Sequence, residues 1–278
     1  MLSQKQIQQY QTQGYLVLEK VFSPQQLTSL TQAAARVVND FDIDKHKTVF
    51  TTRDNDRGRD AYFIASAENV SCFLEEDALN ENGELMWPKS QAINKIGHAL
   101  HDLIPEFKSF CSQPLFSEIL NQLGYQAPEL WQTMYIFKQP KIGGEVRWHQ
   151  DATYLITEPQ SVMGLWVAME DSTKENGCLW VQPKGHLTPL REIFHTNEEG
   201  KSELIKLDST PWPTEEEAEA VEVPAGSLVL FNGKLPHYSS HNHSARSRQA
   251  FTMHIIEGHT HWSSKNWIQR PSLGKFPI

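Results

Sequence analysis

The chain has 278 residues, a formal net charge of −9 at pH 7, 39% hydrophobic and 21% charged residues. Such a composition allows a core and excludes global disorder, and the acidic balance argues against general affinity for nucleic acid or anionic membrane. No apolar run approaches bilayer length, and the N-terminus lacks a secretory apolar region with a cleavage site, so a soluble, cytoplasmic protein is expected.

Residues 3–13 read as a polar amphipathic helix ended by Gly14, and Tyr15-Leu16-Val17-Leu18 as a short strand. Ser23-Pro24 is a helix start, with apolar Leu27, Leu30, Ala34 and Val37 at helical spacing. From Lys45 to Asp60 the chain turns polar, which is expected to give a solvated loop or a flap over a substrate pocket. Ala61 to Ala65 reads as a strand, and SQAINKIGHALHDLI (90–104) as a helix carrying Ile93, Ile96, Ala99, Leu100 and Leu103 on one face. A further helix is expected from Pro114 to Leu123, ended by Gly124.

After Pro128 the texture changes to short apolar runs separated by glycine turns. Residues 130–138, 162–170, 179–183, 221–223, 227–231 and 248–257 are strand-like, which points to a sandwich or jelly roll. The acidic stretch 191–219 reads as an irregular surface insertion. One domain is expected over 1–278, helical to about residue 127 and a mainly β jelly-roll core beyond it. Cys72, Cys111 and Cys178 are scattered and odd in number, so they read as buried reduced thiols.

The chemistry centres on EVRWHQDATYL, residues 145–155. On an extended strand, His149 and Asp151 would share one face and offer a divalent metal a neutral nitrogen and an anionic oxygen. Downstream, a strand and turn deliver His237, and Arg248 opens the next strand. Two histidines and a carboxylate can cap one face of an octahedral metal and leave three positions open, as in non-haem Fe(II) oxygenases. One negative charge against two positive favours an anionic bidentate co-substrate, and the fork of Arg248 suits its far carboxylate. The pairs His241/His243 and His259/His261 lack a matching carboxylate and arginine. On a regular strand His254 would point to the same side as Arg248, where it reads as a satisfied core histidine; His98 and His101 read as packing or surface residues, and His186 has no ligand role.

These residues carry a resemblance. The ordered set His149-x-Asp151, His237-x-Ser239 and Arg248 is similar to the phytanoyl-CoA dioxygenase family of Fe(II)- and 2-oxoglutarate-dependent oxygenases. INKIGHALH (93–101), MYIFKQP (134–140), GGEV with HQDA (143–152), ENGCLW (175–180), RSRQA (246–250) and Lys265-Asn266-Trp267 extend it over nearly the whole chain. The resemblance implies a double-stranded β-helix with buttressing helices. It implies that His149, Asp151 and His237 bind iron and that Arg248 and Ser239 hold the far carboxylate of 2-oxoglutarate. Lys95, Met134 and Trp166 match positions lining the co-substrate pocket, while Trp148 departs from a close relative's residue and alters the pocket's shape. Related halogenases have a small residue in place of the carboxylate, so Asp151 implies hydroxylation or a similar oxidation. The expected reaction takes Fe(II), dioxygen and 2-oxoglutarate, is supported by ascorbate, gives succinate and carbon dioxide, and oxidises a small molecule.

Two other readings stand beside it. A non-catalytic jelly roll could bind 2-oxoglutarate as a sensor, although the complete donor set disfavours decay of catalysis. A cupin-type metal isomerase would not need the Arg248 clamp. The substrate and oligomeric state are open, since one fold hosts many substrates. Lys45, Lys47, Arg53, Arg57 and Arg59 could meet an anionic substrate, though Asp54, Asp56 and Asp60 offset them.

Overall fold

A computed structural model describes residues 1–50 and 61–278. Arg53, Arg57 and Arg59, their offsetting aspartates and most of the expected flap lie outside the described residues.

Local signals set the first elements. The helix Gln4–Gln13 starts from a capping box in which Ser3 and Gln6 satisfy each other's backbone N–H groups. It ends at Gly14, whose left-handed φ of 84° turns the chain into the first strand. Helix Pro24–Asp40 repeats the design with Ser23 and Gln26, then buries Leu27, Leu30, Ala33, Ala34 and Val38. Helix Pro114–Gln122 ends close to where its glycine predicts.

The strands, in chain order, are β1 Tyr15–Leu18, β2 Val70–Leu74, β3 Ile93–His98, β4 Pro128–Ile136, β5 Val146–His149, β6 Thr157–Glu158, β7 Met163–Ala168 and β8 Leu179–Val181. They continue as β9 Glu192–Thr196, β10 Ser202–Lys206, β11 Glu219–Val221, β12 Leu228–Asn232, β13 His237–Ser239, β14 Ala250–Glu257, β15 His261–Trp262 and β16 Phe276–Pro277. A major sheet runs β1-β12-β7-β14-β4-β3-β2, with β16 also on β4, and a minor sheet runs β11-β8-β13-β5. All their pairings are antiparallel. The architecture is a mainly β jelly roll with flanking helices, as expected.

Strand alternation explains how the site is framed. On β7, Met163, Leu165 and Val167 join the core beneath the helices, whereas Trp166 and Ala168 face the space between the sheets. The same division puts Leu228 and Leu230 of β12 in the first core and Val229 and Phe231 in the second. On β14, Phe251, Met253 and Ile255 enter the core under the helices. Period two therefore turns Thr252 and His254 toward the inter-sheet cavity, which both of them line.

Three expectations are corrected. Ala61–Ala65 is a short helix, not a strand. Five apolar residues are too few to reveal a period, and the turn buries Phe63 against Phe73 and Trp267. Residues 90–104 are not one helix: Lys89–Ala92 and Leu100–Leu103 are single turns around strand β3. β3 is buried between β2 and β4, and the β2–β3 register shifts between Phe73 and Leu74, so Ile93 and Ile96 both reach the core under the helices at the i, i+3 spacing of a helical face. The first 127 residues thus supply strands as well as helices.

Residues 191–219 are also more ordered than an irregular insertion. β9 and β10 form a hairpin whose turn is tied by the Asn197 side chain accepting from Glu199 and Lys201. At its foot Arg191 is only 2% exposed, donates to the Pro211 carbonyl and stacks on Trp212. All three cysteines are buried and free. Among the described residues no helix is long and apolar enough to cross a membrane.

Candidate metal centre and co-substrate pocket

Among the described residues, one group of His, Cys, Asp and Glu could hold a metal ion: His149, Asp151 and His237, whose donor atoms lie within 4.8 Å of one another. The convergence does not come from two positions on one strand. β5 ends at His149, and Asp151 already opens a 3-10 turn, Asp151–Thr153. That turn is fixed by Thr153 N donating to Gln150 O at 2.9 Å and Ala152 N donating to Gly233 O at 2.8 Å. His237 begins β13 directly opposite His149 in the ladder, with ring centroids 4.1 Å apart.

The ring orientations fit metal binding. His149 Nδ1 sits 2.9 Å from the Arg147 carbonyl and His237 Nδ1 sits 3.0 Å from the Leu235 carbonyl. Each contact favours a proton on Nδ1 and leaves Nε2 as the donor. Both Nε2 atoms face Asp151 Oδ1, at 3.7 Å and 3.6 Å. Burial, with His237 alongside, lowers His149 to about 3, so its ring is neutral near pH 7. Burial opposes the Asp151 carboxylate, yet the rings of His254, His237 and His149 outweigh it and hold the group below its ordinary range. His149 therefore offers a neutral nitrogen and Asp151 an anionic oxygen before any ion arrives.

Burial also lowers His98 and His101, helped by Lys95 and Arg270 respectively. These two and His149 stay neutral in the fold but take up protons when unfolded below about pH 6.5. The unfolded state then binds more protons, so stability falls as pH falls, by up to about 1.4 kcal/mol per pH unit for each group. The urea midpoint of the metal-free protein should drop clearly between pH 7.5 and pH 5. A flat midpoint would show that these rings are not buried in neutral form.

One cavity brings every anticipated site residue together: His149, Asp151, His237, Arg248, Ser239, Lys95, Met134 and Trp166 all line it. Arg248 is 2% exposed. Its Nε donates to the Gly177 carbonyl at 3.0 Å, its guanidinium lies 5.4 Å from the Trp166 ring, and Nη1 has no protein acceptor among the described residues. Burial lowers its pKa to about 10, which leaves it charged at neutral pH. A buried cation with an unused N–H on the wall of a cavity fits the carboxylate of a dianionic ligand. Lys95 Nζ lies 3.2 Å from the Phe50 ring centroid in the same cavity. Trp148, expected to alter the pocket's shape, is not among the residues that line the cavity and packs on Tyr238, at 4.5 Å between centroids.

Several cavity residues were not anticipated. Phe50, Phe63, Tyr154, Leu155 and Trp267 give one apolar side, and Gln132, Thr252 and His254 a polar one. His254, expected to be a packing residue, lies with Nε2 3.2 Å from Asp151 Oδ2. Gly164, behind Asp151, was not anticipated either, although an isolated glycine inside an apolar strand signals close approach of another group. A Cβ there would sit 2.7 Å from Asp151 Oδ2. His98 contacts Ser66, and His101 contacts Thr133, Asp102 and Arg270. His186 meets the Gln11 carbonyl, and the exposed His259 pairs with Glu257. His241 stacks on His243.

Comparison with known proteins accords with this geometry. The sequence profile of the phytanoyl-CoA dioxygenase (PhyH) family matches residues 10–250. Phytanoyl-CoA dioxygenase of Arabidopsis thaliana is 41% identical over 275 residues, covering 98% of this chain and 95% of the relative. Phytanoyl-CoA dioxygenase domain-containing protein 1 of Mus musculus is 38% identical over 284 residues, covering 99% and 98%. The epimerase SnoN, solved in complex with Fe3+, alpha ketoglutarate and nogalamycin RO, shares the fold at a TM-score of 0.65 and 13% identity, covering 99% of this chain and 92% of SnoN.

Proposed function

The chain belongs to the phytanoyl-CoA dioxygenase family of 2-oxoglutarate-dependent non-haem iron dioxygenases, and from that premise we propose that it hydroxylates a small organic substrate while 2-oxoglutarate is converted to succinate and carbon dioxide. The observation that carries this reading is the convergence of a two-histidine, one-carboxylate donor set and a buried, half-satisfied arginine on one cavity. His149 Nε2, Asp151 Oδ1 and His237 Nε2 would hold Fe(II). When bound, iron would supply the means of using dioxygen to oxidise an unactivated carbon.

The remaining steps fall to this chain's residues. Arg248 and Ser239 hold the far carboxylate of 2-oxoglutarate, with the indole of Trp166 packed beside the guanidinium. Lys95 and Met134 line the same compartment from neighbouring strands β3 and β4. The carbonyls of Arg147 and Leu235 keep the ligand imidazoles oriented. Phe63, Tyr154, Leu155 and Trp267 supply the apolar surface that excludes water from the primary substrate.

The test is to add Fe(II), ascorbate and 2-oxoglutarate to anaerobically purified protein, admit dioxygen, and measure succinate. Oxygen-dependent succinate is expected even without primary substrate, as slow uncoupled turnover. Binding of iron and 2-oxoglutarate with no succinate, whatever candidate substrate is offered, would instead support the sensor reading.

A further inference from the structure

We propose that His254 is a positioning residue which, with Gly164, cradles the Asp151 carboxylate so that a single oxygen faces the metal; this rests on reading His149, Asp151 and His237 as the iron ligands. The two cradle residues are cross-strand partners, His254 on β14 and Gly164 on β7. Both belong to the major sheet, whereas His149 and His237 stand on the minor sheet and Asp151 follows in the turn after β5. The carboxylate therefore bridges the two sheets.

Its oxygens meet different surroundings. Oδ1 looks toward the Nε2 atoms of His149 and His237, at 3.7 Å and 3.6 Å. Oδ2 lies 3.2 Å from His254 Nε2, too far off line for a full hydrogen bond but close enough for strong attraction to the ring N–H. On its other flank Oδ2 presses on the bare backbone of Gly164, where a Cβ would come within 2.7 Å of it and within 2.3 Å of Phe231 Cε2. His254 itself is 5% exposed, and its Nδ1 has no hydrogen bond among the described residues. Apart from that contact, then, no protein hydrogen bond among those residues accounts for a polar ring at this depth.

The arrangement has a chemical consequence. A carboxylate can offer a divalent ion one oxygen or both. Held at Oδ2, Asp151 presents Oδ1 alone and leaves the adjoining position for the co-substrate. His254 would act on the metal through Asp151, without touching it.

The experiment uses metal-free protein, anaerobic Fe(II) titration by calorimetry, and the visible spectrum of the Co(II)-loaded form, which reports coordination geometry. His254→Leu should weaken Fe(II) binding about 10–100-fold, the usual cost of losing an outer-shell partner, and alter the Co(II) spectrum. His254→Gln, whose amide nitrogen falls near the Nε2 position, should restore both readouts, whereas His254→Asn, whose nitrogen falls near Nδ1, should not. Equal weakening in Leu, Asn and Gln variants would reduce the role to packing and overturn the proposal, as would wild-type binding in all three. If Asp151→Ala binds Fe(II) as tightly as wild type, the metal-site reading itself falls, an outcome distinct from failure at His254.

Discussion

Replacing Asp151 with alanine should abolish oxygen-dependent succinate formation and reduce Fe(II) affinity by more than the roughly 10–100-fold that loss of an outer-shell partner costs. The sign follows from charge. His149 and His237 donate neutral nitrogens, so Asp151 is the anionic member of the donor set, and its buried carboxylate keeps its charge because three imidazoles surround it. Alanine leaves two neutral donors around a dication in a cavity that also carries Lys95 and Arg248. Calorimetric Fe(II) titration beside the succinate assay separates loss of metal from loss of chemistry. Thermal unfolding of the metal-free variant tests whether the fold survives. Retention of full turnover would remove Asp151 from the metal centre.

Sequence spacing made the donor set legible without a correct picture of how the chain delivers it. A strand with His149 and Asp151 on one face and a turn between them both bring two residues at i and i+2 to the same ion. The side chains were identifiable, while the 3-10 turn that begins at Asp151 was not. Its geometry depends on Ala152 N reaching Gly233 O, a contact between segments far apart in sequence. β3 failed for a related reason. The irregular β2–β3 register lets Ile93 and Ile96 share the core, so INKIGH and the ALHDL that follows it show apolar residues at helical spacing. Lys95 nevertheless lines the cavity, and its match to the family did not depend on the type of element that carries it.

His254 shows the opposite limit. Strand alternation put His254 on the same side as Arg248, but a buried position on β14 fits a satisfied core histidine equally well. What matters is a partner more than a hundred positions away in the chain, together with a glycine on the adjacent strand that makes room for it. Gly164 was the readable half of that signal, because an apolar strand tolerates a glycine poorly unless something occupies its missing side chain's place.

Arg248→Ala should act on 2-oxoglutarate and leave the metal in place. The guanidinium donates one N–H to the Gly177 carbonyl and keeps another without a protein acceptor on the cavity wall. Charge-assisted hydrogen bonds contribute about 1.5–3 kcal/mol each, so losing a two-bond clamp should raise the KM for 2-oxoglutarate by roughly 10²–10⁴-fold. Arg248→Lys keeps the charge but loses the planar fork and its stacking beside Trp166, and should recover only part of that loss. Fe(II) affinity measured without 2-oxoglutarate should stay near the wild-type value in the lysine variant, because Arg248 is not among the donor atoms. An unchanged KM in both variants would show that the far carboxylate is held elsewhere. A parallel loss of Fe(II) binding in the lysine variant would show that the arginine acts by shaping the metal centre, so the two titrations together assign the residue.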